Sequence, residues 1–243
     1  MRDFKGKRYW LVGASEGLGR ALALKLSQAG AEVILSARSV ERLAELAADL
    51  PGPARVLAMD IANRDSVAAA WDQLGQIDGM VFLAGVYWPQ SAKAWNGPEV
   101  EAMFDINLTG AARVLAHVVP DFVARDQGHI VLTGSLSGFR GLPGAIGYAA
   151  SKAGLYSLAE SLDGDLKDTD VCVQLVNPGF IRTRLTDKND FTMPFIMDPE
   201  PAAQIFFDHM QRGGFARHFP TLFSLVFRFS AFMPHRLYHR LFF

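Results

Sequence analysis

Tyr148 and Lys152 stand four residues apart in the stretch SLSGFRGLPGAIGYAASK, Ser135 to Lys152. On a helix that spacing puts them on one face, a turn apart. Ser135 precedes Tyr148 by thirteen residues, across a Gly/Pro-rich loop able to fold its hydroxyl back towards the phenol. A hydroxyl, a phenol and an amine converging on one point can polarise a carbonyl and exchange a proton with it. The Tyr-x-x-x-Lys pair alone also occurs on exposed helix faces. What positions it must decide its meaning.

The elements around it alternate. Tyr9–Val12, Glu32–Ala37, Ala54–Ala58, Met80–Ala84, His129–Thr133 and Val171–Asn177 read as short apolar strands. Helical patterns cover Leu18–Gln28, Val40–Leu50, Arg64–Leu74, a long segment from about Pro98 to Ala124, and the Tyr148 helix to about Lys167. This spacing predicts an α/β fold, a doubly wound parallel sheet with helices on both faces. No repeat or linker divides the chain. Residues 1–219 read as one domain and 220–243 as a C-terminal apolar, basic helical extension.

The first strand–helix turn reads Val12-Gly13-Ala14-Ser15-Glu16-Gly17-Leu18-Gly19. Glycines at these places serve a dinucleotide by making a tight turn, letting the backbone approach the pyrophosphate, and packing helix on sheet. The helix N-terminus then offers N–H groups and a positive dipole end. The second strand ends Ser36-Ala37-Arg38-Ser39, without the acid that would hold ribose hydroxyls. Arg38, helped by Ser15, suits a 2′-phosphate and favours NADP(H) over NAD(H). Glu16 opposes that phosphate slightly. Asp60, ahead of Ile61 at the end of the third strand, fits either an adenine contact or the cap of a short turn. Asn107 lies mid-helix, where an amide is unfavourable unless it has a task.

Bulk properties exclude several functions. The chain has 243 residues, half of them hydrophobic, and a formal charge of −1. No basic run argues for nucleic acid. The one cysteine, Cys172, lies in an apolar strand, reads as buried packing, and excludes an intrachain disulfide or a cysteine zinc cage. No signal peptide or membrane-spanning run is visible, so a cytoplasmic protein is expected.

The glycine turn, Asp60, Asn107, Ser135, Tyr148 and Lys152, in this order and spacing, resemble the short-chain dehydrogenase/reductase superfamily over about residues 6 to 185. Asn177-Pro178-Gly179-Phe180-Ile181-Arg182-Thr183 adds the strand-end motif that in the family closes over the nicotinamide. The resemblance implies a Rossmann-like sheet of about seven strands, a homodimer or homotetramer, and an oxidoreductase interconverting a carbonyl and a secondary alcohol. It implies that Tyr148 is the general acid/base and that Lys152 lowers the tyrosine pKa and holds the nicotinamide ribose. Ser135 then fixes the substrate oxygen, and Asn107 supports a water in the proton relay. Cofactor contacts fall to Gly13, Ser15, Gly17, Leu18, Gly19, Arg38, Asp60, Ile61, Ala84, Gly85, Pro178, Gly179, Ile181 and Thr183.

Three positions depart from the family pattern. Val12 replaces the usual threonine, and Phe82-Leu83 replaces the two asparagines before Ala84-Gly85. Those missing amides are what would favour an NADP-binding redox sensor or scaffold without turnover. A dehydratase or epimerase on the same scaffold is a further reading. Val86-Tyr87-Trp88-Pro89, Phe139–Pro143 and Leu185–Met197 are expected to form the substrate rim, and their apolar side chains suit an apolar carbonyl or alcohol. The tail is rich in aromatic residues and arginines. It is expected to cover the cleft or a partner subunit by burying Phe223, Phe227, Leu237 and Leu241, or else to contact a membrane surface.

Overall fold

The computed structural model describes residues 1–242, so the last residue of the 220–243 extension lies outside the described residues. The order is β1 (Arg8–Val12), α1 (Gly17–Gln28), β2 (Glu32–Ser36), α2 (Val40–Asp49), β3 (Ala54–Val56), α3 (Arg64–Leu74), β4 (Gly79–Phe82), α4 (Gly97–Phe104). It continues with α5 (Gly110–Arg125), β5 (Gly128–Thr133), α6 (Ile146–Asp165), β6 (Val171–Pro178), α7 (Pro199–Arg212), β7 (Ala216–Phe219), α8 (Thr221–Ser230) and α9 (His235–Phe242). The strands form one seven-stranded sheet in the order β3-β2-β1-β4-β5-β6-β7. Every pairing is parallel. This is the Rossmann-like architecture expected, with the order reversing between β1 and β4.

Alternation along each strand splits the core into two layers. Trp10, Val12, Met80 and Phe82 point to the side covered by α3, α5 and α6. Tyr9, Leu11 and Val81 point to the side covered by α1, α2 and α7, through Leu22, Leu26, Leu43, Leu46 and Phe206. Strands covered on both faces must be apolar throughout, which is why they read as runs rather than as alternating patterns. The helices begin where side chains replace missing backbone partners. Ser39 accepts from Arg42 N–H, Asn63 from Ser66 N–H, and Asn96 from Glu99 N–H ahead of Pro98.

Two expectations need correction. The single long helix from about Pro98 is interrupted: Asp105–Thr109 forms a π-helical turn between α4 and α5. The wider turn carries Asn107 inward, and π turns inside helices often mark functional places. Cys172, the second residue of β6, is partly exposed rather than buried. Among the described residues no helix is long and apolar enough to cross a membrane.

Candidate active site

Where the strand order reverses, a cleft of about 510 Å³ opens at the C-terminal ends of the strands. Parallel sheets bind ligands at this point because the two flanking loops part there. The glycine turn after β1 forms one end. Gly13 has φ +100°, and a Cβ there would stand 2.5 Å from the Ala84 nitrogen. A Cβ at Gly19 would run into the Gly13 carbonyl, and one at Gly17 would lie 2.7 Å from Thr183 Cγ2. No side chain caps the N-terminus of α1. Its first residues, Gly17 and Leu18, therefore border the cleft with their amides uncapped. This cradle fits a dinucleotide pyrophosphate: it is tight, free of side chains, and set at a helix N-terminus.

Ser15, Arg38, Ser39 and Arg42 surround the far end. Arg38 is exposed. Arg42 donates to Glu16 Oε2 at 2.8 Å, and Arg184 pairs with the same carboxylate. Glu16 is thus engaged by two guanidiniums, which weakens its expected opposition to a phosphate. Arg42 was not singled out from the sequence. The signal was its place in the first turn of the helix capped by Ser39. Asp60 serves the turn reading directly, its Oδ1 accepting from Ala62 N–H at 3.0 Å, while it also borders the cleft beside Ile61. Arg113 ties the Ile61 carbonyl to Asp105, at 3.1 and 2.7 Å.

Ser135, Tyr148 and Lys152 meet at the middle of the cleft. Ser135 Oγ accepts from Ser137 N–H at 3.2 Å and from Ser137 Oγ at 2.9 Å. Its own proton is then directed towards the Tyr148 oxygen, where a ligand oxygen can also receive it. Tyr148 keeps part of its surface open to the cleft, and Tyr87 packs edge-on against its ring at 5.1 Å. Burial raises the phenol to about 12, partly offset by the Ser135 hydroxyl. Lys152 lies 5.7 Å from the Tyr148 ring centre and donates to the Thr133 carbonyl at 2.8 Å. Burial lowers its ammonium from 10.5 to about 8. In this structure the tyrosine is therefore raised rather than lowered, because desolvation outweighs any field from Lys152.

Every sequence-predicted site residue lines this cleft except Asn107. That side chain is fully buried behind the wall. Its Oδ1 accepts from Val86 N–H at 2.7 Å, and its Nδ2 donates to Val86 O and Ser151 Oγ, both at 3.0 Å. Asn107 thereby locks the loop after β4 to the helix of Tyr148. Asn107→Ala is expected to cost about 1–3 kcal/mol and roughly 3–10 °C in Tm, measured by thermal unfolding. An unchanged Tm would contradict the bracing role. Phe82, one of the three departures from the family pattern, is fully buried in the core beneath this loop. Core packing takes the place of one expected amide, while Leu83, at the other, is partly exposed and lines the cleft.

The remaining wall is apolar. Tyr87, Pro89, Leu142, Pro143, Leu185 and Phe191 line it as expected, whereas Trp88, Arg140, Met193 and Phe195 do not. Lys188 instead lies over the Trp88 ring at 4.5 Å and donates to the Tyr87 carbonyl at 2.7 Å. Phe223 and Phe227 of α8 complete the wall. Leu237 and Leu241, expected to be buried with them, are exposed.

The sequence pattern described as short chain dehydrogenase matches residues 7–193. An "Uncharacterized oxidoreductase" of Myxococcus xanthus is 35% identical over 245 residues, covering 98% of this chain and 97% of that protein. A 3-oxoacyl-[acyl-carrier-protein] reductase of Thermotoga maritima is 31% identical over 191 residues, covering 76% and 78% of the two chains. A solved short-chain dehydrogenase/reductase of Burkholderia phymatum, in complex with NAD, shares the fold at TM-score 0.85 and 22% identity, covering 94% of each chain.

Proposed function

The chain belongs to the short chain dehydrogenase family, and on that premise we propose that it is an NADP(H)-dependent oxidoreductase reducing the carbonyl of an apolar substrate to a secondary alcohol. The observation that carries this reading is the single cleft joining the glycine cradle, Ser135, Tyr148 and Lys152, and an apolar wall. The fit of the cradle to a pyrophosphate and the arginines at its far end support NADP(H). When bound, the nicotinamide supplies the hydride.

The chain's own residues then have the following tasks. Ser135 donates to the substrate carbonyl oxygen and fixes its place. Tyr148, protonated up to about pH 12, gives its proton to that oxygen as negative charge develops there. Lys152, anchored on the Thr133 carbonyl, places a cation beside the phenol. It thereby stabilises the phenolate left behind, and it is the residue placed to hold the nicotinamide ribose. Burial favours the neutral phenol, so at neutral pH Tyr148 carries the proton that reduction requires. Pro178, Gly179 and Ile181 would close the nicotinamide side.

The apolar lining by Leu142, Leu185, Phe191, Phe223 and Phe227 supports an acyl-like or aromatic carbonyl, in keeping with the Thermotoga maritima relative named for 3-oxoacyl substrates. Phe82 takes a place in the core and Leu83 one in the cleft wall, while Ser135, Tyr148 and Lys152 stand together in that cleft, which favours turnover over a sensor role. Homodimeric or homotetrameric assembly, implied by the family, is part of this proposal. Turnover of a panel of long-chain and aromatic carbonyls with NADPH tests it, and NADPH binding without turnover across the panel would contradict it.

The cofactor choice has its own test. Arg38→Glu is expected to weaken NADPH by roughly 10–100-fold, the worth of a charge-assisted phosphate contact, while NADH affinity changes little. Titration of both cofactors checks this, and an unchanged ratio of the two dissociation constants would refute the specificity argument.

A further inference from the structure

α8 presents two apolar faces. Phe223 and Phe227 line the cleft, while Leu222, Val226 and Phe229, at i, i+4 and i+7, form a second stripe turned to solvent. Leu222 is 74% exposed, Phe229 62%, and Phe232 just beyond the helix 87%. α9 repeats the pattern in a shorter span: Leu237 and Leu241 are exposed four residues apart, and Arg236 and Arg240 form a parallel row beside them. Phe195, also exposed, packs its ring 5.5 Å from Phe223 and extends the patch towards the cleft mouth. Large apolar side chains left exposed in such number on two consecutive helices mark an interaction site.

The patch is mounted rigidly. Arg140 donates to the carbonyls of Ser230 and Met233, and its guanidinium lies 3.9 Å from the Tyr238 ring centre. Tyr238 in turn donates to the Gly141 carbonyl at 2.6 Å. The segment that follows Ser135 therefore clamps both helices, and their outer faces are fixed relative to the cleft.

Charge selects the occupant. Neither helix holds an acidic residue, whereas Arg228 lies on α8 and Arg236 and Arg240 on α9. A second copy docked on this patch through a twofold axis would set these arginines against one another. Anionic headgroups would complement them, with the leucines and phenylalanines entering the acyl region and the arginines reaching back to the phosphates.

We propose that Leu222, Phe229, Phe232, Leu237 and the flanking arginines of α9 seat this protein on an anionic lipid bilayer, with the cleft mouth turned to the lipid. Entry of a bilayer-dissolved carbonyl past Phe223 and Phe227 rests on the function proposed above. The docking itself does not.

Flotation of the full chain with phosphatidylcholine vesicles, with and without phosphatidylglycerol, tests the proposal. Binding is expected only with phosphatidylglycerol and should weaken as salt is raised. Phe229→Asp/Phe232→Asp and Arg236→Gln/Arg240→Gln should each reduce it roughly tenfold or more, with circular dichroism and NADPH affinity unchanged. The arginine pair and the salt series carry the test should the phenylalanine pair misfold. Absence of binding, equal binding to both vesicles, or equal binding by the variants would overturn the proposal. So would self-association in sedimentation that the same variants abolish, since the patch would then belong to a second copy. Protein that binds vesicles but turns over no carbonyl would sink the enzymatic reading alone. Active protein that ignores vesicles would sink the docking alone.

Discussion

Tyr148→Phe is expected to lower turnover of a carbonyl with NADPH by about 10²–10⁴-fold, the range typical of losing a positioned acid, while leaving NADPH affinity nearly unchanged. The phenol is the group at the centre of the cleft whose proton survives to about pH 12. The ring itself packs against Tyr87. Phenylalanine keeps that contact and removes only the hydroxyl. Steady-state kinetics and cofactor titration separate the two effects. Wild-type turnover in the variant would show that the proton comes from elsewhere.

Lys152→Met should lose activity on the order of 10²-fold or more and change its pH dependence. Burial lowers the Lys152 ammonium from 10.5 to about 8, so the cation is present below that value and lost above it. Wild-type reduction should therefore fall as pH rises through about 8. The methionine variant should be slow on both sides of that pH and show no such limb. It would also strand the Thr133 carbonyl, which Lys152 serves at 2.8 Å, at a stability cost of about 1–3 kcal/mol. A wild-type profile flat from pH 6 to 10 would contradict Lys152 as the group that titrates.

The parts of the fold governed by local patterns were readable in the residues themselves. Tyr9–Val12 and Val171–Asn177 are continuous apolar runs because both faces of a parallel sheet are covered. Each appears as a strand within a residue or so of its expected ends. Gly13, Gly17 and Gly19 were readable because only glycine tolerates the backbone approaches at Gly13 and Gly19 and the positive φ at Gly13 and Gly17. The π turn at Asp105–Thr109 was not readable. No Gly or Pro marks its start, and the inward pull on Asn107 comes from Val86 and Ser151, residues distant in sequence. The same limit applies to the extension. Periodicity gives α8 its apolar stripes, but only packing against the cleft tells that Phe223 is inside and Phe229 outside. Leu237 and Leu241 were expected inside for the same reason. The Tyr148 pKa shows the third limit, since a motif names the neighbouring cation but not the depth of burial, and burial dominates here.

Arg42 illustrates how partners change a residue's meaning. Glu16 alone opposes a phosphate, yet with Arg42 and Arg184 on its carboxylate it becomes the anchor that holds Arg42 at the cleft. That arrangement places a second guanidinium near Arg38 without exposing an uncompensated acid.

The central claim is that Tyr148, Lys152 and Ser135 deliver a proton to a carbonyl that receives its hydride from a nicotinamide held in the same cleft. The most direct measurement supplies NADPH deuterated at the transferable position together with an apolar carbonyl, and follows the label by mass spectrometry. One deuterium on the carbinol carbon of the product, and none formed by Tyr148→Phe in the same time, is the predicted result. Cofactor bound by the wild type with no deuterium transferred to any carbonyl offered would contradict the account.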